Sequence, residues 1–132
     1  MLYLDASALV KRYVAEDGTD ALIAAMQEAE GWAICRVGYV ETARAVGLAA
    51  GKGAIRKFLA DWPSFEVVEV DGDLAEHATE LASTEELRSL DALHLAAALL
   101  IASPELTFAT WDMRLHGAAQ RQGLAVFPAG LR

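Results

Sequence analysis

The stretch that decides the fold is Leu2-Tyr3-Leu4-Asp5-Ala6-Ser7-Ala8-Leu9-Val10-Lys11-Arg12-Tyr13. Its first three residues form a short apolar run with no polar alternation, as in a strand covered on both faces. After Asp5 the apolar positions become Ala6, Leu9, Val10 and Tyr13, which is helical spacing. A buried strand therefore passes directly into an amphipathic helix, and an acid stands at the junction.

The same alternation continues along the chain. Gly18, flanked by Asp17 and Thr19, interrupts the first helix, and Thr19 or Asp20 is expected to cap a second one with the stripe Leu22, Ile23 and Met26. Trp32-Ala33-Ile34-Cys35 reads as a strand. Residues 37–50 suit a helix that Gly51 closes, and 54–62 a further amphipathic segment that stops at Pro63. The β-branched run in 65–70 predicts a strand, and 74–82 a helix after Asp71-Gly72-Asp73. Ser89 opens a strongly apolar helix ending at Ser103-Pro104; 106–109 is a strand, 112–122 a helix stopped by Gly123, and 125–127 a last strand. Short apolar strands alternating with helices imply an α/β fold, with three layers of helix, sheet and helix around a mostly parallel sheet of four or five strands.

Length and composition bound the rest. A chain of 132 residues with 55% hydrophobic side chains holds one well-buried core and is too short for two ordinary domains, so residues 1–132 are expected to form a single domain. Charged residues at 23% exclude disorder and coiled coil as the main state. Eleven Lys and Arg against 19 Asp and Glu leave a net charge of −8, which disfavours non-specific nucleic-acid binding through many phosphate contacts. Phosphate chemistry through a metal stays open. Cys35 is the one cysteine, so no internal disulfide or cysteine zinc site can form, and a reducing cytoplasmic compartment is expected. The start of the chain lacks the pattern of a secretory signal, and no apolar run approaches the roughly 20 residues of a membrane span.

Four acids gain interest from their positions. Ligand crevices in open parallel sheets lie outside the carboxyl ends of strands. Asp5 ends the first strand and Asp112 closely follows the strand at 106–109. Glu41 lies in the third helix among small apolar residues, and Asp91 in the first turn of the helix opened by Ser89. Each has an ordinary structural explanation: helix capping for Asp5 and Asp112, an ion pair with Arg44 for Glu41, and the helix dipole for Asp91. Brought together, four carboxylates repel one another and call for a cation. Oxygen-only ligands favour Mg²⁺ or Mn²⁺, and the lack of a Cys or His cluster disfavours zinc. That combination points to metal-assisted phosphoryl chemistry, with the metal orienting water and lowering its pKa.

Several segments together resemble the PIN-domain ribonucleases, specifically the VapC-type toxins of toxin–antitoxin pairs. They are Leu4-Asp5-Ala6-Ser7-Ala8-Leu9, Glu41 in the third helix, Ser89-Leu90-Asp91-Ala92-Leu93-His94-Leu95-Ala96-Ala97-Ala98, and Thr110-Trp111-Asp112-Met113-Arg114-Leu115 followed by Gly123-Leu124. Each piece is short and degenerate; the ordered set spans nearly the whole chain. The resemblance implies a PIN-like fold and a site of Asp5, Glu41, Asp91 and Asp112 that holds Mg²⁺ or Mn²⁺ and hydrolyses RNA with a metal-activated water. It also implies Ser7 and Thr110 as supporting hydroxyls, a homodimer, and a small VapB-type antitoxin as partner. Some relatives carry a further acid shortly after the fourth carboxylate, where this chain has Met113, Arg114, Leu115 and His116, so a second ion is less supported than the first.

A PIN-like module that holds RNA or a protein without cutting it remains the alternative. Asp5-Ala6-Ser7 is also similar to the nucleophile segment of haloacid-dehalogenase-like phosphatases, but those carry a second Asp where Ser7 stands; a phospho-acceptor receiver would need a late Lys, and none follows Lys57. His94 shares a helix face with Asp91 and is expected to pack or orient; His77 and His116 are expected on solvated positions. Lys11, Arg12, Lys52, Arg56, Lys57, Arg88 and Arg114 could form basic edges and Trp111 a base-stacking face beside Asp112, but an ordinary solvated surface and a core tryptophan are the favoured reading.

Overall fold

Leu2, Tyr3 and Leu4 are all buried, with Tyr3 and Leu4 at 0% exposure, because the strand they form, β1 (Leu2–Leu4), lies at the centre of a sheet covered on both faces. In the computed structural model, which describes residues 1–131, five parallel strands stand in the order β3-β2-β1-β4-β5. The others are β2 (Trp32–Cys35), β3 (Phe65–Val68), β4 (Thr107–Ala109) and β5 (Ala125–Phe127). Pairing of Leu2, Tyr3 and Leu4 with Thr107, Phe108 and Ala109 fixes the central register. The sheet order reverses direction across β1 and β4, so the crevice beyond their carboxyl ends is the place where a parallel α/β sheet receives a ligand.

Six helices cover the two faces. They are α1 (Ala6–Tyr13), α2 (Thr19–Glu28), α3 (Arg36–Asp61), α4 (Gly72–Thr84), α5 (Ser89–Leu100) and α6 (Met113–Arg121), with a 3₁₀ turn at Trp62–Ser64. One core joins α4, α5 and α6 to the sheet through Leu74, Leu81, Leu95, Phe108 and Leu115. The other places α1, α2 and α3 over the opposite face through Leu9, Leu22, Met26, Ile34 and Phe58. The three-layer expectation and the five-strand count are both met.

Local details correct parts of the sequence reading. The second helix is entered through Gly18 in the left-handed region (φ 92°), not through a Thr19 or Asp20 cap; the Thr19 hydroxyl instead accepts from the Glu16 amide. Gly51 closes the first part of α3 as expected, since its φ of 80° breaks the helix between two segments. His116 is buried rather than solvated, with Nε2 2.7 Å from the Pro128 carbonyl oxygen. Cys35 is a buried free thiol at the end of β2. Among the described residues no helix is long and apolar enough to cross a membrane.

Candidate metal centre

Asp5 leaves β1 and enters α1 as its N-cap, so the strand delivers it to the carboxyl edge and the helix holds it there. Its two oxygens divide the work. Oδ1 accepts from the Ala8 amide at 2.9 Å, which caps the helix, and from Ser7 Oγ at 2.7 Å. Oδ2 accepts from Thr110 Oγ1 at 2.6 Å. Capping and site-building are thus not alternatives for this residue. Burial to 3% exposure pushes its carboxyl above the ordinary range, while the nearby His94, the two hydroxyls and the Ala8 amide pull the other way.

Thr110 follows β4, the neighbour of β1, which explains how a hydroxyl 105 residues away reaches Asp5. The same Oγ1 accepts from the Asp112 amide at 3.1 Å, and Ser7 Oγ accepts from the Trp111 amide at 3.0 Å. The two hydroxyls therefore tie the segment after β4 to the segment after β1. Ser7 and Thr110, the two hydroxyls named from the sequence, both hydrogen-bond to Asp5.

Asp112 is the N-cap of α6, with Oδ1 accepting from the Leu115 amide at 2.9 Å. Its Oδ2 points instead to Arg88 Nη2, 3.3 Å away. Asp91, in the first turn of α5, takes Arg88 Nε at 3.2 Å. One guanidinium spans both acids. The Asp91 carboxyl is pushed up first by burial and then by the negative charge of Asp112, with Arg88 offsetting part of this. Arg88, Asp91, Asp112, Met113 and Arg114 line an open cavity of about 400 Å³.

Glu41 lies on α3, where its Oε1 is 2.7 Å from Nε2 of the buried His94. The ordinary ion pair with Arg44 is not made; the partner comes from α5, 53 residues on. The other imidazole nitrogen, Nδ1, meets the Tyr3 hydroxyl at 2.7 Å. The sequence places Tyr3 in a buried strand, and no signal within its own neighbourhood marks it as anything else.

All four acids thus come to one end of the sheet: Thr110 joins Asp5 to Asp112, Arg88 joins Asp91 to Asp112, and Glu41 is tied to the sheet through His94. As the side chains lie, no three Asp, Glu, His or Cys groups among the described residues stand close enough to hold one ion. The donor chemistry nevertheless fits a hard divalent cation. The acids present only oxygens, the repulsion between Asp91 and Asp112 calls for positive charge, and an exposed guanidinium lies between those two.

The candidate basic and aromatic groups divide between the interior and the surface. Lys11 is buried, donating to Glu16 and to the Asp17 carbonyl, and its ammonium lies 5.0 Å over the Trp111 ring. Trp111 packs edge-on against Phe127 and backs onto Gly18, so it braces the α1–α2 turn rather than offering a free face. Arg12 is paired with Asp61. Lys52, Arg56, Lys57, Arg88 and Arg114 are exposed.

Comparison with known proteins follows the same outline. The PIN domain pattern matches residues 2–113. Two Mycobacterium tuberculosis proteins, Ribonuclease VapC45 and Ribonuclease VapC49, are each 35% identical over 140 residues, covering 99% of this chain and 97% of theirs. Among solved structures, M. tuberculosis VapC20, described as a sarcin-ricin loop cleaving toxin, superposes with a TM-score of 0.77 at 15% identity, over 95% of this chain and 97% of that one. A toxin–antitoxin complex from Klebsiella pneumoniae gives 0.72 at 18% identity, over the whole of both chains. These structural likenesses show the fold.

Proposed function

This chain belongs to the PIN-domain family, among its VapC-type ribonucleases, and from that premise we propose that it is a metal-dependent endoribonuclease acting as the toxin of a toxin–antitoxin pair. The observation that carries the reading is the meeting of Asp91 and Asp112, from different elements, across a single guanidinium, with Asp5 and Glu41 held beside them on the same sheet edge. Asp5, Glu41, Asp91 and Asp112 would hold Mg²⁺ or Mn²⁺. The ion, when bound, supplies a Lewis acid that lowers the pKa of water and offsets charge building on the phosphodiester.

The chain's own residues do the rest. Ser7 and Thr110 fix both oxygens of Asp5, so this carboxylate is oriented before any ligand arrives. His94 fixes Glu41. Arg88, at 78% side-chain exposure, is free to leave Asp91 and Asp112 and turn toward an incoming phosphate, which opens both carboxylates to the ion. Arg114 borders the same cavity and adds a second positive charge for the RNA backbone.

The substrate is RNA, and the partner a small VapB-type antitoxin; the likeness to a toxin–antitoxin complex supports that partner. A homodimer and a cytoplasmic location complete the proposal, and the exposed Val40, Leu48 and Leu59 on α3 support an apolar self-contact.

The test is cleavage of a panel of structured RNAs by the purified protein with Mg²⁺ or Mn²⁺. Cutting that EDTA stops, and that Asp5→Asn and Glu41→Gln abolish while the fold persists, is expected. Cutting that survives in both variants rejects the site, and RNA retained without product at saturating metal favours the non-cleaving module.

A further inference from the structure

The core of the molecule holds a file of polar groups that packing does not require. Tyr3 Oη, His94 and Glu41 follow one another from the centre of the sheet to the candidate site, with Tyr3 at 0% and His94 at 1% exposure. Buried polar groups are expensive unless every one is paired, and here every one is. The direction of each hydrogen bond can be worked out from the end that has no freedom.

The Cys35 backbone amide lies 3.0 Å from Tyr3 Oη and can only donate. It therefore occupies an acceptor lone pair of the phenol oxygen. A phenol, with an ordinary pKa of about 10, keeps its proton at neutral pH. That proton goes to His94 Nδ1, the remaining partner at 2.7 Å. Nδ1 is then an acceptor, and a neutral imidazole must carry its proton on Nε2, which faces Glu41 Oε1 at 2.7 Å. Amide, phenol and imidazole all donate in one direction, toward the carboxylate.

The fold fixes this file from several sides. The Tyr3 ring stacks on Phe108 at 5.2 Å between centroids with planes 4° apart. Gly38, one turn before Glu41 on α3, lets that helix approach: a Cβ there would stand 3.1 Å from His94 Cε1 and would also clash with Ile34. Glu41 is thereby held by one oxygen, Oε1, and its Oε2 is left for the site.

We propose that His94 is a positioning residue that aims Glu41 for cation binding, and that Tyr3 enforces the Nε2-protonated imidazole this requires. The inference rests on reading Glu41 as a metal ligand. It names Glu41 as what His94 orients, and gives work to Tyr3, which by sequence is only part of a buried strand.

The test uses the intact protein and two readouts. The first is the imidazole tautomer, from long-range ¹H–¹⁵N correlation on ¹⁵N-labelled protein, with the His94 signals identified by their loss in His94→Gln. Nε2–H in the wild type is expected; a proton on Nδ1 alone overturns the proposal. The second is Mn²⁺ affinity by titration calorimetry, without RNA. Tyr3→Phe removes the hydroxyl that forces the tautomer, and the affinity is expected to fall about tenfold, the lower end for loss of a supporting partner. His94→Gln places an amide donor where Nε2 stood and is expected to keep most of the affinity, whereas His94→Asn places its amide on the Nδ1 side and is expected to lose it.

Equal affinity in the two amide variants overturns the positioning role, and so does wild-type affinity in Tyr3→Phe. If Tyr3→Phe does not fold, the amide pair and the wild-type tautomer still decide. Glu41→Gln separates the two levels: wild-type affinity in that variant refutes Glu41 as a ligand, whereas a loss there with none in His94→Asn refutes only the positioning.

Discussion

Asp5 and the Asp91–Asp112 pair sit at the same end of the sheet, each at the start of a helix, yet their settings are opposite. Asp5 is buried and both its oxygens are held, Oδ1 by a hydroxyl and an amide and Oδ2 by one hydroxyl. Asp91 and Asp112 are partly open and share one exposed arginine. Hydrogen bonds from neutral donors in a dry setting orient a carboxylate without neutralising it, whereas a surface ion pair neutralises without holding firmly. One half of the site is therefore preset, and the other is left to be completed by a ligand.

The sharpest way to break this contrast is Asp5→Asn. We expect RNA cleavage to fall more than about 100-fold, beyond the usual cost of losing a supporting partner, while the protein melts higher at neutral pH. The sign follows from the raised Asp5 carboxyl. Between the ordinary Asp value of about 3.9 and its raised folded value, the native state binds more protons than the unfolded one. This contribution to stability is fully present at low pH and is lost as pH rises through that window. Thermal melts across the acidic range should show the loss in the wild type and not in Asp5→Asn.

Thr110→Val tests the preset half at one remove. It keeps the shape but removes the donor to Asp5 and the acceptor for the Asp112 amide. An activity loss of about 10–100-fold is expected from the supporting role, with a stability loss of about 1–3 kcal/mol from the unpaired buried groups. Denaturant titration and RNA cleavage on the same preparation measure both, and an unchanged rate would separate Thr110 from the chemistry.

Arg88→Gln probes the open half and should have the smallest effect on the fold. Stability is expected to change by less than about 1 kcal/mol, as for exposed ion pairs. Mn²⁺ affinity without RNA should rise a few-fold, since a competing cation is gone, and that gain should shrink at high salt. RNA affinity, measured separately, should fall if Arg88 meets phosphate. A drop in Mn²⁺ affinity would instead make Arg88 part of the cation site's support.

Much of the scaffold was legible because its signals are local. The change from the run Leu2-Tyr3-Leu4 to helical spacing marks both the strand and the entry of α1, and Gly51 marks the break in α3. Asp5 and Asp112 were readable as caps for the same reason: a cap is recognised by residues two or three positions away. The ordered acids also pointed to one end of a parallel sheet. Thr19 was misread because the left-handed Gly18 and the bond to Glu16 depend on how the turn folds back. Lys11, expected at the surface, is buried because α1 and the turn at Gly18 close over it beside Trp111.

By itself, then, the sequence determined the elements, their alternation, the parallel α/β class and which acids stand at strand ends and helix starts, since these follow from propensity and spacing over a few residues. Tertiary structure alone decided that Glu41 answers to His94 rather than Arg44, that His94 answers to Tyr3, and that Arg88 spans two carboxylates. Those partners lie up to 91 residues apart along the chain. They meet because the order β3-β2-β1-β4-β5 places β1 between β2 and β4, and a hydrogen bond reaching 3 Å is set by that packing and not by sequence distance.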